Sequence, residues 1–315
     1  MLLCNWRLLQ ALPSRTKSEL KASQLRAIKP GVRETPQPKM LRHETQIVPC
    51  GKCGRRYKVH LKGMTKAPTA RFSDRVENYV RYRPGYPPGV LDLLRTECEL
   101  QPAHIIADIA SGTGLFTRLL LENGNSVFAV EPNLEMREMG IHLLEAFDRL
   151  VSVAGTAEAT TLGSNSVDFV TAAQAAHWFD LRRARSEFVR ILKPGGWCVL
   201  IWNERRTNST PFLREYEQLL LTYGTDYKEV RHERTTAVIH EFFAPAPFRE
   251  RVFDMRQRFD YEGTAGRLLS SSYAPLAGHP SYAPMMEELE RLFRVHARNG
   301  VVEFEYDTRV FYGKL

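Results

Sequence analysis

The chain is short of several things, and each shortage excludes something. Cysteine is scarce: five in 315 residues, at Cys4, Cys50, Cys53, Cys98 and Cys198. Such an odd, scattered set offers no disulfide framework and fits a reducing compartment. No apolar run approaches the ~18 residues that a spanning helix needs, so no membrane partner is expected. Internal repeats are absent. Acidic residues are nearly missing from one end: residues 1–63 hold 14 Lys+Arg against 3 Asp+Glu. The rest of the chain holds 30 against 33 and is slightly acidic. The overall charge of +8 is therefore a property of the N-terminal segment. The remainder has no basic footprint for nucleic acid, and none is expected to bind there.

Residues 1–63 are rich in Lys, Arg and Pro without sustained periodicity, and read as a basic, mostly disordered extension. Three accounts of it compete. Its first 18 residues contain Leu, Arg and Ser but no acid, as an organelle-targeting segment would. It could be a basic binding arm. It could also be an appendage outside the working protein, since Met64 stands just before the recognisable domain; that reading is preferred, with a cytoplasmic protein as its consequence. Cys50-Gly-Lys-Cys53 looks like half a zinc knuckle, with His60 as a third ligand and His43 or Cys4 as a fourth. Structural zinc takes four ligands and no second Cys-x-x-Cys follows, so two free thiols are expected and no metal.

From Arg71 onward the pattern is that of a folded domain. Phe72–Tyr82 has a Ser73 cap and helical spacing, and Arg83-Pro-Gly-Tyr-Pro-Pro88 stops it. A second helix starts at Val90–Leu94. Strands and helices then alternate: strand 104–109, helix 114–122, strand 126–131, helix 133–146, strands 150–153 and 167–173, helix 181–192, strand 197–202. This alternation means a parallel sheet with helices on both faces. Residues 205–250 break it and read as a cap inserted between the fifth and sixth strands. A strand over 251–261, helices over 263–272 and 283–297, and a strand over 301–312 interrupted near Asp307 complete the chain.

The strand at His104–Ile109 runs into Ala110-Ser-Gly-Thr-Gly114 and then a helix. Gly112 and Gly114 allow a tight turn and close approach of a ligand. A dinucleotide turn would read G-x-G-x-x-G/A. Here Thr117 occupies the third small position, and Asp108 lies four residues before Gly112. A carboxylate there repels a pyrophosphate and suits a cationic ligand. S-Adenosyl-L-methionine carries an ammonium and a sulfonium and no phosphate. Glu131, 17 residues after Gly114 at the end of the next strand, is placed to hold ribose hydroxyls.

On these residues the chain resembles the class I S-adenosylmethionine-dependent methyltransferases. Asp108-Ile-Ala-Ser-Gly-Thr-Gly114 resembles their first motif, D-x-G-x-G-x-G, with Ala110 in place of the first glycine. Gly155-Thr-Ala-Glu158 resembles the turn beside the adenine, Val167-Asp-Phe-Val170 the fourth strand, and Leu192-Lys-Pro-Gly-Gly196 the turn before the fifth. Each alone is equally well a cap or a simple turn; their order and spacing make the resemblance. It covers most of residues 65–315, is nearest to the type 11-like domain, and extends to the trans-aconitate methyltransferase subgroup through Gln174-Ala-Ala-His-Trp-Phe179 and the Phe72-Ser…Tyr79…Arg83-Pro-Gly-Tyr-Pro87 pattern. The [DNS]-P-P-[YFW] motif of many amide and base nitrogen methyltransferases is missing.

The resemblance implies an α/β, Rossmann-like class I sheet, mostly parallel with an antiparallel C-terminal strand, in a methyltransferase domain over 64–315. It implies S-adenosyl-L-methionine as cofactor. Asp108, Ala110, Ser111, Gly112, Thr113 and Gly114 would lie at the methionine end, Glu131 and Pro132 at the ribose, and Thr156, Ala157 and Glu158 near the adenine. Gln174 borders the methyl end, and Tyr79 and Arg83 contact the methionine carboxylate or an anionic substrate. Trp178 and Phe179 offer aromatic faces to the sulfonium. His177 is the candidate general base, against a plain turn residue. The expected acceptor is a small molecule, methylated at a carboxylate or hydroxyl oxygen. Methylation of RNA or protein recruited by the basic arm, and a catalytically silent binding fold, stay open, as does monomer or dimer.

Overall fold

A computed structural model describes residues 46–49, 56–59, 76–230 and 235–315. At 46–49, 56–59, 76, 77, 79, 229, 230 and 235–237 it describes the backbone alone. The chain divides into two units, Met1–Met64 and Thr65–Leu315. In the first, β1 (Gln46–Pro49) and β2 (Arg56–Val59) pair antiparallel, Gln46 opposite Val59 and Pro49 opposite Arg56. Two four-residue strands are too short to register as a periodicity. The half knuckle at Cys50 and Cys53 lies outside the described residues, as do Phe72 and Ser73.

The second unit begins with α1 (Val76–Tyr82) and α2 (Pro88–Glu97). Then come β3 (Ile105–Ile109), α3 (Leu115–Glu122), β4 (Ser126–Val130), α4 (Leu134–Leu143), β5 (Leu150–Val153) and β6 (Val167–Ala173). A 3₁₀ turn at Ala176–Trp178 leads to α5 (Leu181–Ile191) and the long β7 (Leu192–Arg205). Next are α6 (Pro211–Tyr223), α7 (Tyr227–Val230), α8 (Thr235–Phe243) and β8 (Phe248–Phe259). The chain closes with α9 (Tyr261–Leu269), α10 (Tyr282–His296) and β9 (Val302–Gly313). The sheet order is β5-β4-β3-β6-β7-β9-β8. β9 alone runs against its neighbours, pairing antiparallel with both β7 and β8. The α/β sheet with an antiparallel C-terminal strand is thus the one the resemblance implied. No helix of the described residues is long and apolar enough to cross a membrane.

Side chains alternate along each strand, so the sheet buries two faces. Ala107, Val170, Leu200 and Trp202 pack with Phe188 of α5 and with Ile239, Phe242 and Phe243 of α8. Ile106, Phe169, Val199 and Ile201 pack on the other face with Leu94 of α2 and Leu120 of α3. A third cluster stands past the far end of β7. There α6 and α10 pack with Tyr306, Phe304 and Leu268. The segment 205–250 therefore divides: α6 builds this end layer, and α8 joins the main core. Thr210 caps α6 by accepting from the Leu213 N–H, and Pro211 sits where a missing N–H costs nothing.

Two expected details differ. Lys193-Pro-Gly-Gly196 is a bulge inside β7 rather than a turn before it: pairing passes from Leu192 opposite Val167 to Trp197 opposite Phe169. Gly195, at φ +80°, supplies the left-handed step. β9 is also unbroken at Asp307, because that residue pairs with Glu204 of β7 on one side and Asp254 of β8 on the other, while its carboxylate accepts from Arg206 at 2.6 Å.

α1 packs closely on α9, and Tyr82 and Arg81 both reach Glu262 of that helix. A Cβ on Gly266 would lie 2.0 Å from the Tyr82 ring. Gly266→Ala is expected to force α1 outward and cost about 1–3 kcal/mol, despite the better helix propensity of Ala. A chemical-denaturation midpoint equal to or above that of the unmodified chain would count against this packing.

Candidate active site

β3 pairs with β4 on one side and β6 on the other, so the sheet order reverses there. A crevice opens at such a point outside the carboxyl ends of the strands. The Asp108–Gly114 turn fills its floor. Ala110 (φ 54°), Gly112 (φ 58°) and Gly114 (φ 84°) all take left-handed backbone. For Ala110 this is strained, where the family motif has glycine. Ala110→Gly is expected to stabilise the protein by about 0.5–1 kcal/mol, the relief of strain outweighing the entropy of glycine. A thermal midpoint lowered by the substitution would contradict it.

Glu131, directly after β4, is 7% exposed. Its two carboxylate oxygens accept separate backbone N–H groups, from Gly112 at 2.9 Å and from Asn133 at 2.8 Å. Burial pushes its pKa up, and those two N–H groups and Arg137 work against the rise. Each oxygen retains a second lone pair, the arrangement needed to accept two vicinal hydroxyls. Asn133 in turn caps α4 by accepting from the Met136 N–H.

Asp108 lies beneath the turn, 1% exposed. One oxygen accepts from the Thr117 hydroxyl at 2.6 Å and the other from the Thr171 hydroxyl at 2.8 Å. Burial pushes its pKa up to about 6, against the two hydroxyl bonds that lower it. Thr117, the residue that spoiled the dinucleotide pattern, is thus one of the two groups that orient this carboxylate. The strand period explains the other, since Thr171 faces the same side of the sheet as Phe169.

Two cavities meet over this floor. The larger, about 230 Å³, is lined by Glu131, Met136, Ala157, Glu158, Trp178 and Phe179 among others. The smaller, about 20 Å³, is lined by Tyr86, Asp108, Ser111, Thr113 and Phe116 among others. Ala110 and Ala173 border both. No Lys or Arg lines either one among the described residues.

Most residues expected at the site are brought together. Gly112, Pro132, Thr156 and Gln174 also line the larger cavity. Gly114 lines neither; it is the N-cap of α3, and a Cβ there would lie 2.5 Å from Leu144. Arg83 is half-buried and donates to the Ser270 carbonyl at 3.0 Å, at the end of α9. The side chain of Tyr79 lies outside the described residues. His177 is exposed, its ring 4.5 Å from that of Trp178, and is not among the residues lining either cavity. Trp178 and Phe179 share their cavity with Ala157 and Glu158, because the Asp180 N–H donates to Glu158 at 2.9 Å and draws the 3₁₀ turn over that loop. Sequence reasoning missed Met136, Tyr86 and the two threonines. The α4 periodicity could have flagged Met136; Tyr86 lies in the Arg83–Pro87 pattern of the resemblance, which gave it no role. Among the described residues no group of His, Cys, Asp or Glu is arranged to hold a metal, and Cys98 and Cys198 are buried free thiols.

Comparison with known proteins points the same way. Residues 107–200 match the methyltransferase domain family. An uncharacterized methyltransferase of Mycobacterium tuberculosis is 42% identical over 164 residues, 52% of this chain and 63% of that one. An uncharacterized methyltransferase-like protein of Schizosaccharomyces pombe is 34% identical over 156 residues, 49% of this chain and 59% of that one. The chain therefore matches about six-tenths of the length of these relatives. The fold is similar to a structure assigned to a type II methyltransferase of Anaeromyxobacter dehalogenans, with TM-score 0.56, 24% identity and coverage of 74% of this chain and 98% of that one. It is also similar to one assigned to an antibiotic-biosynthesis methyltransferase of Anabaena variabilis, with TM-score 0.53, 21% identity and coverage of 75% and 100%. With the motif in register, residues 107–200 match the methyltransferase domain family, and the fold around them is similar to those methyltransferase structures.

Proposed function

We propose that the chain transfers the methyl group of S-adenosyl-L-methionine to an oxygen of a small-molecule acceptor, with a carboxylate favoured over a hydroxyl. The observation that carries the donor is the charge of the two cavities: Asp108 and Glu131 border them, with no lining Lys or Arg among the described residues. Three carboxylates, counting Glu158, without a lining cation repel a pyrophosphate and attract an ammonium or sulfonium. The residues fit the donor in order along the crevice. Met136, Ala157 and Phe179 offer an apolar slot for the adenine, Glu131 two acceptors for the ribose, and Asp108 with Ser111 and Thr113 a polar end for the amino acid. When bound, S-adenosyl-L-methionine supplies an electrophilic methyl carbon on a sulfonium leaving group. The protein then has to hold a nucleophile in line and keep water out. A carboxylate needs no base, whereas a hydroxyl profits from one. His177 is exposed and outside the cavity lining, which supports the carboxylate.

The test is a screen with labelled donor over carboxylates, phenols and tRNA, together with calorimetry for the donor. Label in a carboxylate ester is the expected result. Label in tRNA alone would move the acceptor to a macromolecule, and tight NAD binding in place of the donor would remove the reading altogether.

A further inference from the structure

The turn between α1 and α2, residues 83–87, carries Tyr86 to the wall of the smaller cavity. There the Tyr86 ring meets the Phe116 ring of α3 edge-on, with centroids 5.0 Å apart. Pro84 and Pro87 stiffen the turn but have no N–H with which to tie it to a neighbour. A tie comes from 118 positions away: Asn203 of β7 donates from Nδ2 to the Gly85 carbonyl at 2.9 Å. That carbonyl belongs to the peptide group leading into Tyr86. Asn203 is 5% exposed, and Thr308, opposite it on β9, is fully buried. The Thr308 hydroxyl donates to Asn203 Oδ1 at 2.6 Å. Together the two bonds fix which way the amide points. A carbonyl only accepts, so Nδ2 has to face Gly85, and Oδ1 is left for Thr308.

The same residue reaches the larger cavity. Gln174, which lines that cavity at the end of β6, donates from Nε2 to the Asn203 carbonyl at 3.3 Å. Its backbone N–H donates to the Ile201 carbonyl at 2.8 Å. Gln174 has φ 60°, a left-handed conformation that strains any residue with a Cβ and persists only where its surroundings impose it. Here β7 imposes it through those two bonds. Gln174 directly follows Ala173, which borders both cavities. Asn203 therefore holds one wall of each cavity, on either side of the place where they meet. In the donor reading that place lies between the ribose at Glu131 and the amino-acid end at Asp108, where the sulfonium falls.

We propose that Asn203 is a positioning residue for methyl transfer: it sets Tyr86 on one side and Gln174 on the other, so that the two cavities keep the spacing the donor needs. The proposal rests on the donor reading above for what the cavities hold. The tie from Asn203 to the 83–87 turn stands without it. Asn203→Leu is the informative variant, because it keeps the size of the side chain and removes both its donor and its acceptor. Thr308→Val and Thr308→Ser form the second pair. The first removes the hydroxyl that orients the amide at nearly unchanged shape, and the second keeps it.

The experiment titrates the full chain with S-adenosylhomocysteine by calorimetry, at a temperature where each variant is folded. Backbone hydrogen exchange of residues 83–91 is followed in parallel without ligand. Asn203→Leu is expected to weaken binding by about 10-fold and to speed exchange in that segment. Thr308→Val should act in the same direction, and Thr308→Ser should return both readouts to within about twofold of the unmodified chain. Because Asn203 acts through the turn that carries Tyr86, its loss should count for little once Tyr86 is gone. The double variant Asn203→Leu with Tyr86→Leu should therefore lose clearly less affinity than the product of the two single losses. Losses that simply multiply would mean a structural role alone and would overturn the proposal. So would unaltered affinity or unaltered exchange in Asn203→Leu, or a Thr308→Ser variant no better than Thr308→Val. If Asn203→Leu does not fold, the Thr308 pair decides by the same readouts. Failure of S-adenosylhomocysteine to bind the unmodified chain removes the donor reading and the proposed role with it. The ligand-free exchange still shows whether the tie itself holds, so the two failures are told apart.

Discussion

Glu131→Ala is expected to weaken S-adenosyl-L-methionine binding by roughly 100-fold or more. In the proposed site the wild-type carboxylate offers two charged acceptors to the ribose, each such hydrogen bond contributing about 1.5–3 kcal/mol. Its second function adds to the loss. Glu131 holds the Gly112 N–H and the Asn133 N–H at the same time, so it fixes the glycine turn to the start of α4. Removing it leaves both N–H groups without their partner and loosens the floor on which the donor lies. Glu131→Gln separates the two effects. The amide keeps one oxygen acceptor but places N–H₂ where the other was, so it should restore part of the stability and little of the affinity. Calorimetry reads the binding and thermal unfolding reads the fold. Donor affinity within about threefold of wild type in Glu131→Ala would sink the ribose assignment.

Asp108→Asn is expected to do two opposite things: stabilise the donor-free protein at neutral pH and weaken the donor complex by about 10-fold or more. The sign follows from the direction of the shift. The folded-state pKa of Asp108 is pushed up to about 6 from 3.8, so the fold favours its protonated form. That preference is fully present below about pH 4, fades as pH rises through about 6, and leaves a charged, buried carboxylate at pH 7. A shift of this size corresponds to about 3 kcal/mol of cost above pH 6, before any loss of hydroxyl hydrogen bonds is subtracted. The amide of the variant carries no charge to bury, so Asp108→Asn should lack this fall in stability between about pH 4 and 6. Glu187 acts in the other direction and a different window. Arg190 holds its pKa down to about 2 from 4.5, so its stabilisation is present above pH 4.5 and is lost as pH falls toward 2. In the proposed function an ammonium on the donor gives the Asp108 charge its use, and donor affinity in the wild type should fall as pH drops through 6. Unfolding midpoints across pH 4–8 that run parallel for wild type and Asp108→Asn would remove this account of the residue.

Much of this arrangement is legible locally. Period-2 apolar strands, glycines at left-handed positions and acidic residues at strand ends are set by neighbours in the chain, so β3, the 108–114 turn and Glu131 can be read from the sequence. Resemblance supplied the adenine loop and the sheet. What could not be read depends on distant residues. Nothing near Tyr86 predicts that it borders the same cavity as Asp108. His177 stands beside Trp178 and Phe179 in sequence, yet the 3₁₀ turn at 176–178 exposes it while the two aromatic residues line the cavity. The bulge at Lys193–Gly196 is decided by pairing with β6, and the unbroken β9 by pairing with β7 and β8.

The sequence by itself determined the alternating α/β order, the glycine turn and its two carboxylates, since short-range periodicity and backbone sterics dictate them. Tertiary structure alone decided that Thr117 and Thr171 orient Asp108, that Glu131 joins the turn to α4, and that Arg83, Arg205 and Arg267 all act on Tyr273. These contacts join residues up to 187 positions apart, as between Arg83 and Ser270. Which side chains meet over such separations is fixed by how helices pack on a sheet, and local pattern carries no record of it.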